Sequence, residues 1–458
     1  MRTERDSMGE TAVPDEALYG AHTSRSLRNF DAAGEPVPLE IVRAIVQLKW
    51  ACARANLELG VLDPARGEAI ICACEAVLGG ACDDAFPVDV FQAGSGTSTN
   101  MNVNEVLANL ASEDLGGRRG DRGRVHPNDD VNRGQSTNNV FPSAIRMACV
   151  ELGEGLDAET ARFEAALRGR AKAFAAVIKS GRTHLQDAVP VTLGQEFAAW
   201  ARAVEKARER ARAARENLLE IGIGGNAVGT GLNTKRAFRP AIVRALGEIT
   251  GRAYRVPADG LEITQSLTDL AQMSAALRLL AADINKIAND LRLLASGPNT
   301  GFDEIALPAV EPGSSIMPGK INPSICEAAN MACLYVMGLD HAVALACGAG
   351  QLELNTHMPL VGWNLVRMFH ALRRTLAMFG DRCIAGIRAR EDVCRRHFER
   401  SAGLPTVLNP RLGYDRVAEL VKDARARGLS LRELVVEKKL LPPDELDALL
   451  RRSTGPED

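Results

Sequence analysis

Residues 263–294 read ITQSLTDLAQMSAALRLLAADINKIANDLRLL. Ile263, Leu267, Leu270, Met273, Leu277, Leu280, Ile284, Ile287, Leu291 and Leu294 recur at steps of three and four. A period near 3.5, held over more than four heptads, predicts one long helix with a coiled-coil-type seam. A stripe of that kind is buried only against other helices. Periodic segments at about 136–176, 192–221, 324–347 and 353–386 predict its partners. Shorter helices are expected before them (40–59, 65–79, 98–114) and after them (412–427, 429–437, 443–451). The expectation is an all-α chain in three regions: 1–136, a central bundle at 137–390, and a small helical region at 391–458.

Composition narrows the function. The 458 residues carry 55 basic and 58 acidic side chains, net −3. The basic residues are spread along helices rather than clustered, so nothing points to nucleic acid. The charged start MRTERDSMGE lacks the apolar core of a secretion signal, and no run nears the roughly 18 uninterrupted apolar residues of a membrane span, so a cytoplasmic protein is expected. Ten cysteines include no CxxC pair, the closest being Cys72 and Cys74; buried free thiols are expected, with neither a disulfide framework nor a zinc site. Aromatic residues make up only 4%.

Chemistry concentrates in four polar stretches. GSSIMPGKINP at 313–323 is too rich in Gly and Pro for helix or strand, and lies in an irregular stretch, roughly 297–322, between two helical segments. It is not a P-loop: five residues separate Gly313 from Gly319 where four are needed, and Ile321 follows Lys320 in place of Ser or Thr. Lys320, Asn322 and the backbone N–H groups suit capture of a small anion, and a Ser suits a base or nucleophile. GSGTSTNMN at 94–102 opens a helix, either as an anion-binding N-terminus or as an ordinary cap. HPNDDVN at 126–132 holds one His beside two Asp, which reads more readily as a satisfied loop than as a metal site; Gln135-Ser136-Thr137-Asn138-Asn139 then offers neutral donors at the start of a long helix. GRTHLQD at 181–187 places His184 in a polar loop, where a functional role outweighs a structural one, with Glu327 as a candidate orienting partner. The glycine-rich run 224–231 lacks the GxGxxG order and follows a helix, which excludes a dinucleotide site. Many neutral donors, one Lys, one His and no metal set describe a pocket for a small dicarboxylate.

These motifs, in this order and spacing, resemble the class II fumarase and aspartate ammonia-lyase superfamily. The resemblance runs from Arg5-Asp6-Ser7-Met8-Gly9 to Gly413-Tyr414, and GSSIMPGKINP matches the superfamily signature. It implies an all-α homotetramer with a shared helical core and active sites built from loops of three subunits. It also implies reversible anti-elimination from a C4 dicarboxylate to give fumarate, without a cofactor. Carried over, Ser314 matches the base that removes the Cβ proton. Lys320 and Asn322 match the groups holding one carboxylate; Thr97, Ser136, Thr137 and Ser315 match donors to the other, and Ser95 belongs to the same substrate-binding set. Asn138, Thr183 and His184 match the leaving-group side, with Glu327 beside His184. His126, Asn128 and Asp129 match a secondary anion site. GSGT and HPNDD look fumarase-like. Ser136-Thr137-Asn138, Asp290-Leu291-Arg292-Leu293, Phe174 to Phe197 and GQLELN at 350–355 look aspartase-like, and L-aspartate is the expected substrate. Fumarate hydration is the alternative. Asn139 stands where the family usually has Asp, and Thr356-His357-Met358 and Leu339-Asp340-His341 also depart from both patterns, which keeps a substituted aspartate open. A catalytically silent structural homologue is the reading from a different class.

Overall fold

The computed structural model describes residues 1–454, and helices dominate it. Helices α1 (Ala21–Asn29), α2 (Leu39–Glu58), α3 (Pro64–Leu78) and α4 (Thr97–Asp114) come first. The long set follows: α5 (Thr137–Ala173), α6 (Leu193–Asn217), α7 (Phe238–Thr250), α8 (Gly260–Gln265), α9 (Thr268–Leu294), α10 (Ser324–Cys347) and α11 (Met358–Arg382). The chain closes with α12 (Glu391–Arg400), α13 (Gly403–Leu412), α14 (Tyr414–Arg427), α15 (Leu431–Glu437) and α16 (Pro443–Arg452). Three antiparallel two-stranded pairs interrupt the helices: β1 (Arg2–Asp6) with β2 (Gly9–Val13), β3 (Ile178–Thr183) with β4 (Gln186–Thr192), and β5 (Ile305–Ala306) with β6 (Arg388–Ala389).

Local signals set many boundaries. Asp63 accepts the Arg66 N–H ahead of Pro64, and Asp259 accepts the N–H groups of Leu261 and Glu262, so α3 and α8 begin on side-chain caps. Ser430 and Glu433 form a capping box at α15. Gly251 and Gly428 end α7 and α14 in the left-handed conformation.

The chain forms two compact units. One comprises residues 1–157, 209–279 and 335–372; the other comprises 158–208, 280–334 and the chain from 373 onward. In the first, α2 packs on α3 and α7, and α4 packs on α1 and α3. In the second, the β3–β4 hairpin rests on α12 and α13, and Phe398, Leu404, Leu408, Leu420, Leu434 and Leu446 gather an apolar core among α12 to α16.

Every residue of the 263–294 seam is buried, yet the segment is two helices rather than one. Ser266 is extended (ψ 136°), and its carbonyl accepts from the Arg146 guanidinium, which also grips Asp269 in the first turn of α9. That outside donor replaces the helical hydrogen bond lost at the break. The expected 353–386 helix starts instead at Met358. Buried Asn355 donates to the last carbonyls of α10, at Ala346 and Cys347, and accepts the His357 N–H, so one amide stops one helix and starts the next. The polar loop expected at 181–187 is a hairpin turn.

Candidate active site

In the second unit, the 313–323 loop is closed at its neck. Gly313 N–H donates to the Lys320 carbonyl (2.9 Å), and Asn322 Nδ2 donates to the Gly313 carbonyl (2.7 Å). A Cβ at Gly313 would meet the Lys320 oxygen at 2.5 Å, so only glycine lets the two arms approach this closely. Within the loop, Ser314 Oγ accepts two backbone N–H groups, from Ile316 at 3.2 Å and Met317 at 3.0 Å. Those dipoles favour negative charge on the hydroxyl oxygen. Ser315, Lys320 and the apolar tips Ile316, Met317 and Ile321 are exposed, so the loop presents both charge and apolar surface outward.

Thr183 and His184 sit at the tip of the β3–β4 hairpin. His184 (φ 55°) and Leu185 (φ 58°) both have positive φ between the paired residues Thr183 and Gln186, the signature of a two-residue type I′ turn. Non-glycine residues are costly there, and such strain collects at functional positions. Both side chains are exposed. Glu327 lies in the first turn of α10; among the described residues no hydrogen bond or ion pair joins it to His184, so a single chain does not form the expected pair.

In the first unit, the other two stretches, 94–102 and 126–139, meet. Gly96 (φ 83°) caps α4, and a Cβ on it would strike the Phe141 ring at 2.3 Å. Ser95 is buried at φ 63°, with its hydroxyl 3.4 Å from that of Thr97. Asn100, one turn along α4, donates to Thr137 Oγ1 (3.0 Å) and to Asn132 Oδ1 (3.3 Å). Ser136 Oγ accepts the Asn138 N–H, and Asn138 Nδ2 donates to the Ala227 carbonyl (2.7 Å), which leaves its carbonyl oxygen for a ligand. His126 caps the turn Pro127–Val131: its Nδ1 accepts the N–H groups of Asn128 (3.2 Å) and Asp129 (3.1 Å). Those two donors therefore point at the imidazole, not outward at an anion. Thr97 and Asn128 line one cleft of about 730 Å³, together with His22, Arg25, Arg28 and Arg122.

Two supports escaped the sequence reading. Lys49 on α2 is fully buried and donates to Asn132 Oδ1 (2.8 Å) and Gln135 Oε1 (2.9 Å). Burial away from any carboxylate pulls its amine down to about 7. Its signal was positional: Ile41, Ile45, Lys49 and Cys52 fall on one helical stripe whose other members are apolar. Glu304 is fully buried and binds Arg182 (2.6 and 3.1 Å), Lys179 (3.1 Å) and His397 (3.1 Å). Burial pushes its carboxyl up, but these partners, Arg182 first, outweigh that and hold it below the usual value. Arg182 immediately precedes Thr183, so this cluster anchors the hairpin that carries His184.

Comparison with known proteins places this geometry. A family model described as lyase matches residues 9–338, and one described as fumarase C C-terminus matches 404–454. The chain is 44% identical to the class II fumarate hydratase of Myxococcus xanthus, covering 100% of this chain and 98% of that one. The chain belongs to the class II fumarase and aspartate ammonia-lyase superfamily. It is a lyase. It is also 42% identical to an aspartate ammonia-lyase of Helicobacter pylori, over 98% of this chain and 97% of that protein. A crystal structure of fumarate lyase:delta crystallin from Brucella melitensis superposes with a TM-score of 0.95 at 41% identity, covering 99% and 100% of the two chains. Superfamily members bearing both names thus align along the whole chain, and their names do not favour L-aspartate over L-malate.

Proposed function

We propose that this lyase catalyses reversible anti-elimination from a C4 dicarboxylate to give fumarate, with Ser314 taking the Cβ proton. The observation that carries this reading is the pair of N–H groups on Ser314 Oγ. A serine hydroxyl is a poor base at neutral pH; directed dipoles, with Lys320 on the same loop, favour its alkoxide. Removing the Cβ proton loads a second negative charge onto the adjacent carboxylate. Lys320 and Asn322 hold one carboxylate, and Ser95, Thr97, Ser136, Thr137 and Ser315 donate to the other. Donors fixed in place before reaction stabilise that charge without reorganising. Asn138, Thr183 and His184 face the leaving group, with Glu327 of a neighbouring copy beside His184. Closure of the exposed 313–323 loop excludes water. The functional unit is a homotetramer in the cytoplasm, each site assembled from three subunits.

Water is our reading of the leaving group, which makes the substrate pair L-malate and fumarate. GSGT and HPNDD support it, as does the whole-length similarity to a class II fumarate hydratase. Hydroxide departs poorly unless protonated, and His184 on its exposed turn suits that donor role. L-Aspartate, whose ammonium needs no further proton to leave, is the second reading, supported by Ser136-Thr137-Asn138 and GQLELN. Fumarate absorbance, followed with L-malate and L-aspartate supplied separately, tests the choice. Fumarate from malate is expected; turnover of aspartate alone would make ammonia the leaving group. Silence with both would move the substrate to a substituted succinate. If malate is the substrate, His184→Asn should cut turnover by roughly 10²–10⁴.

A further inference from the structure

Lysine donates hydrogen bonds, and this fixes the direction of every bond downstream of Lys49. Its two N–H contacts end on amide oxygens, Asn132 Oδ1 and Gln135 Oε1. With its oxygen turned to Lys49, Asn132 accepts a second bond from Asn100 Nδ2 (3.3 Å). The other N–H of that same NH₂ group reaches Thr137 Oγ1 (3.0 Å). Thr137 is thus an acceptor within the protein, and its own O–H is left to donate. The arrangement is held at a cost, since Asn100 Oδ1 is buried with no partner among the described residues. Asn56, one helical stripe position from Cys52, ties the same turn by donating to the Arg133 carbonyl (3.1 Å).

We propose that Lys49 is a positioning residue for substrate binding: through Asn132 and Asn100 it sets the polarity of the Thr137 hydroxyl, so that its proton points at a substrate carboxylate. The inference rests on the reading of Thr137 as a carboxylate donor. Without a donor at Lys49, Asn132 keeps its sense only through the bond from its NH₂ to the Gln135 carbonyl (3.1 Å); when it turns that NH₂ inward, Asn100 follows, and Thr137 is drawn to donate to Asn100 Oδ1 instead of to the ligand. Lys49 itself touches no substrate and transfers no proton.

Calorimetric titration with succinate, a C4 dicarboxylate that cannot react, tests this on the full-length protein. Wild type, Lys49→Met, Thr137→Val and the double variant are compared, with KM and kcat measured alongside. A hydrogen bond to a charged group is worth about tenfold or more in affinity. Lys49→Met should therefore weaken succinate about as much as Thr137→Val does, raise KM accordingly and change kcat less. The double variant should be no weaker than Thr137→Val alone. Asn100→Asp, which keeps Lys49 and its two contacts but sets an acceptor-only group against Thr137 Oγ1, should reproduce at least that loss and serves if Lys49→Met does not fold. Losses that multiply in the double variant, or a Lys49→Met protein that binds succinate like wild type, would overturn the inference. Failure of wild type to bind succinate would instead overturn the dicarboxylate reading beneath it.

Discussion

Ser314 and Lys49 are opposite cases of one electrostatic rule. Two aimed N–H groups make charge on a half-buried oxygen cheaper; a dry, carboxylate-free setting makes charge on a nitrogen dearer. The second effect has a sign that can be measured. Lys49 holds its proton up to about 7 when folded and to about 10.5 when unfolded. Between those values the unfolded chain binds the extra proton, so wild-type stability climbs with pH through that window. Lys49→Met removes a penalty of a few kcal/mol at pH 7, offset in part by the donor that Asn132 Oδ1 and Gln135 Oε1 lose, and should leave the protein more stable there. Thermal unfolding from pH 7 to 10 should show the variant's advantage shrinking as pH rises. A variant that is more stable yet binds succinate more weakly separates positioning from scaffolding. The sequence displayed Ser314, Lys320 and His184 because polar residues crowd loops that have no other reason to hold them. It concealed Lys49, because lysine by type reads as solvent-facing and only its place on an apolar stripe says otherwise.

Glu304 shows how an element inherits its position. Its carboxylate gathers Lys179 and Arg182 from β3 and His397 from α12, and Arg182 also stacks over the Phe302 ring at 4.3 Å. Removing one member of such a set leaves buried cations uncompensated. Glu304→Gln should cost about 3–5 kcal/mol in denaturant unfolding. Its folded carboxyl lies below the ordinary 4.5, so the stability it adds is complete above that value and is lost as pH falls through the lower folded one. The variant should accordingly show a flatter acid limb than wild type. Helices were legible at this scale because a 3.5-residue period needs only one chain to be seen. The break at Ser266 and the late start of α11 were not, since each depends on a side-chain contact that periodicity does not register, from distant Arg146 in one case and from Asn355 within the α10–α11 turn in the other. The β3–β4 hairpin escaped for a local reason: His184-Leu185 is not a pair that ordinarily fills a type I′ turn.

At the scale of the whole molecule, α10 is apolar on two sides. Cys326, Cys333, Val336 and Val343 face inward, while Met331, Leu334 and Leu345 stand about two-thirds exposed. The helix is long and apolar enough by composition to cross a membrane, but its buried side carries Asn330 and Asp340, the latter bound to Ser274 and Arg278. A second copy of the chain covers such a face better than lipid does. Leu334→Glu should therefore split the proposed tetramer in sedimentation and abolish turnover together, as expected if each site draws on three subunits. Retained activity in a smaller species would oppose shared sites. The central claim, that Ser314 exchanges the Cβ proton of a C4 dicarboxylate, is tested most directly in heavy water. Fumarate incubated with the protein, with and without ammonium, should give a product carrying one deuterium at Cβ in a single diastereomer, the mark of anti addition. Ser314→Ala, folded and assembled as wild type is, should form that product more slowly by orders of magnitude. Unchanged incorporation of deuterium by Ser314→Ala would contradict the claim.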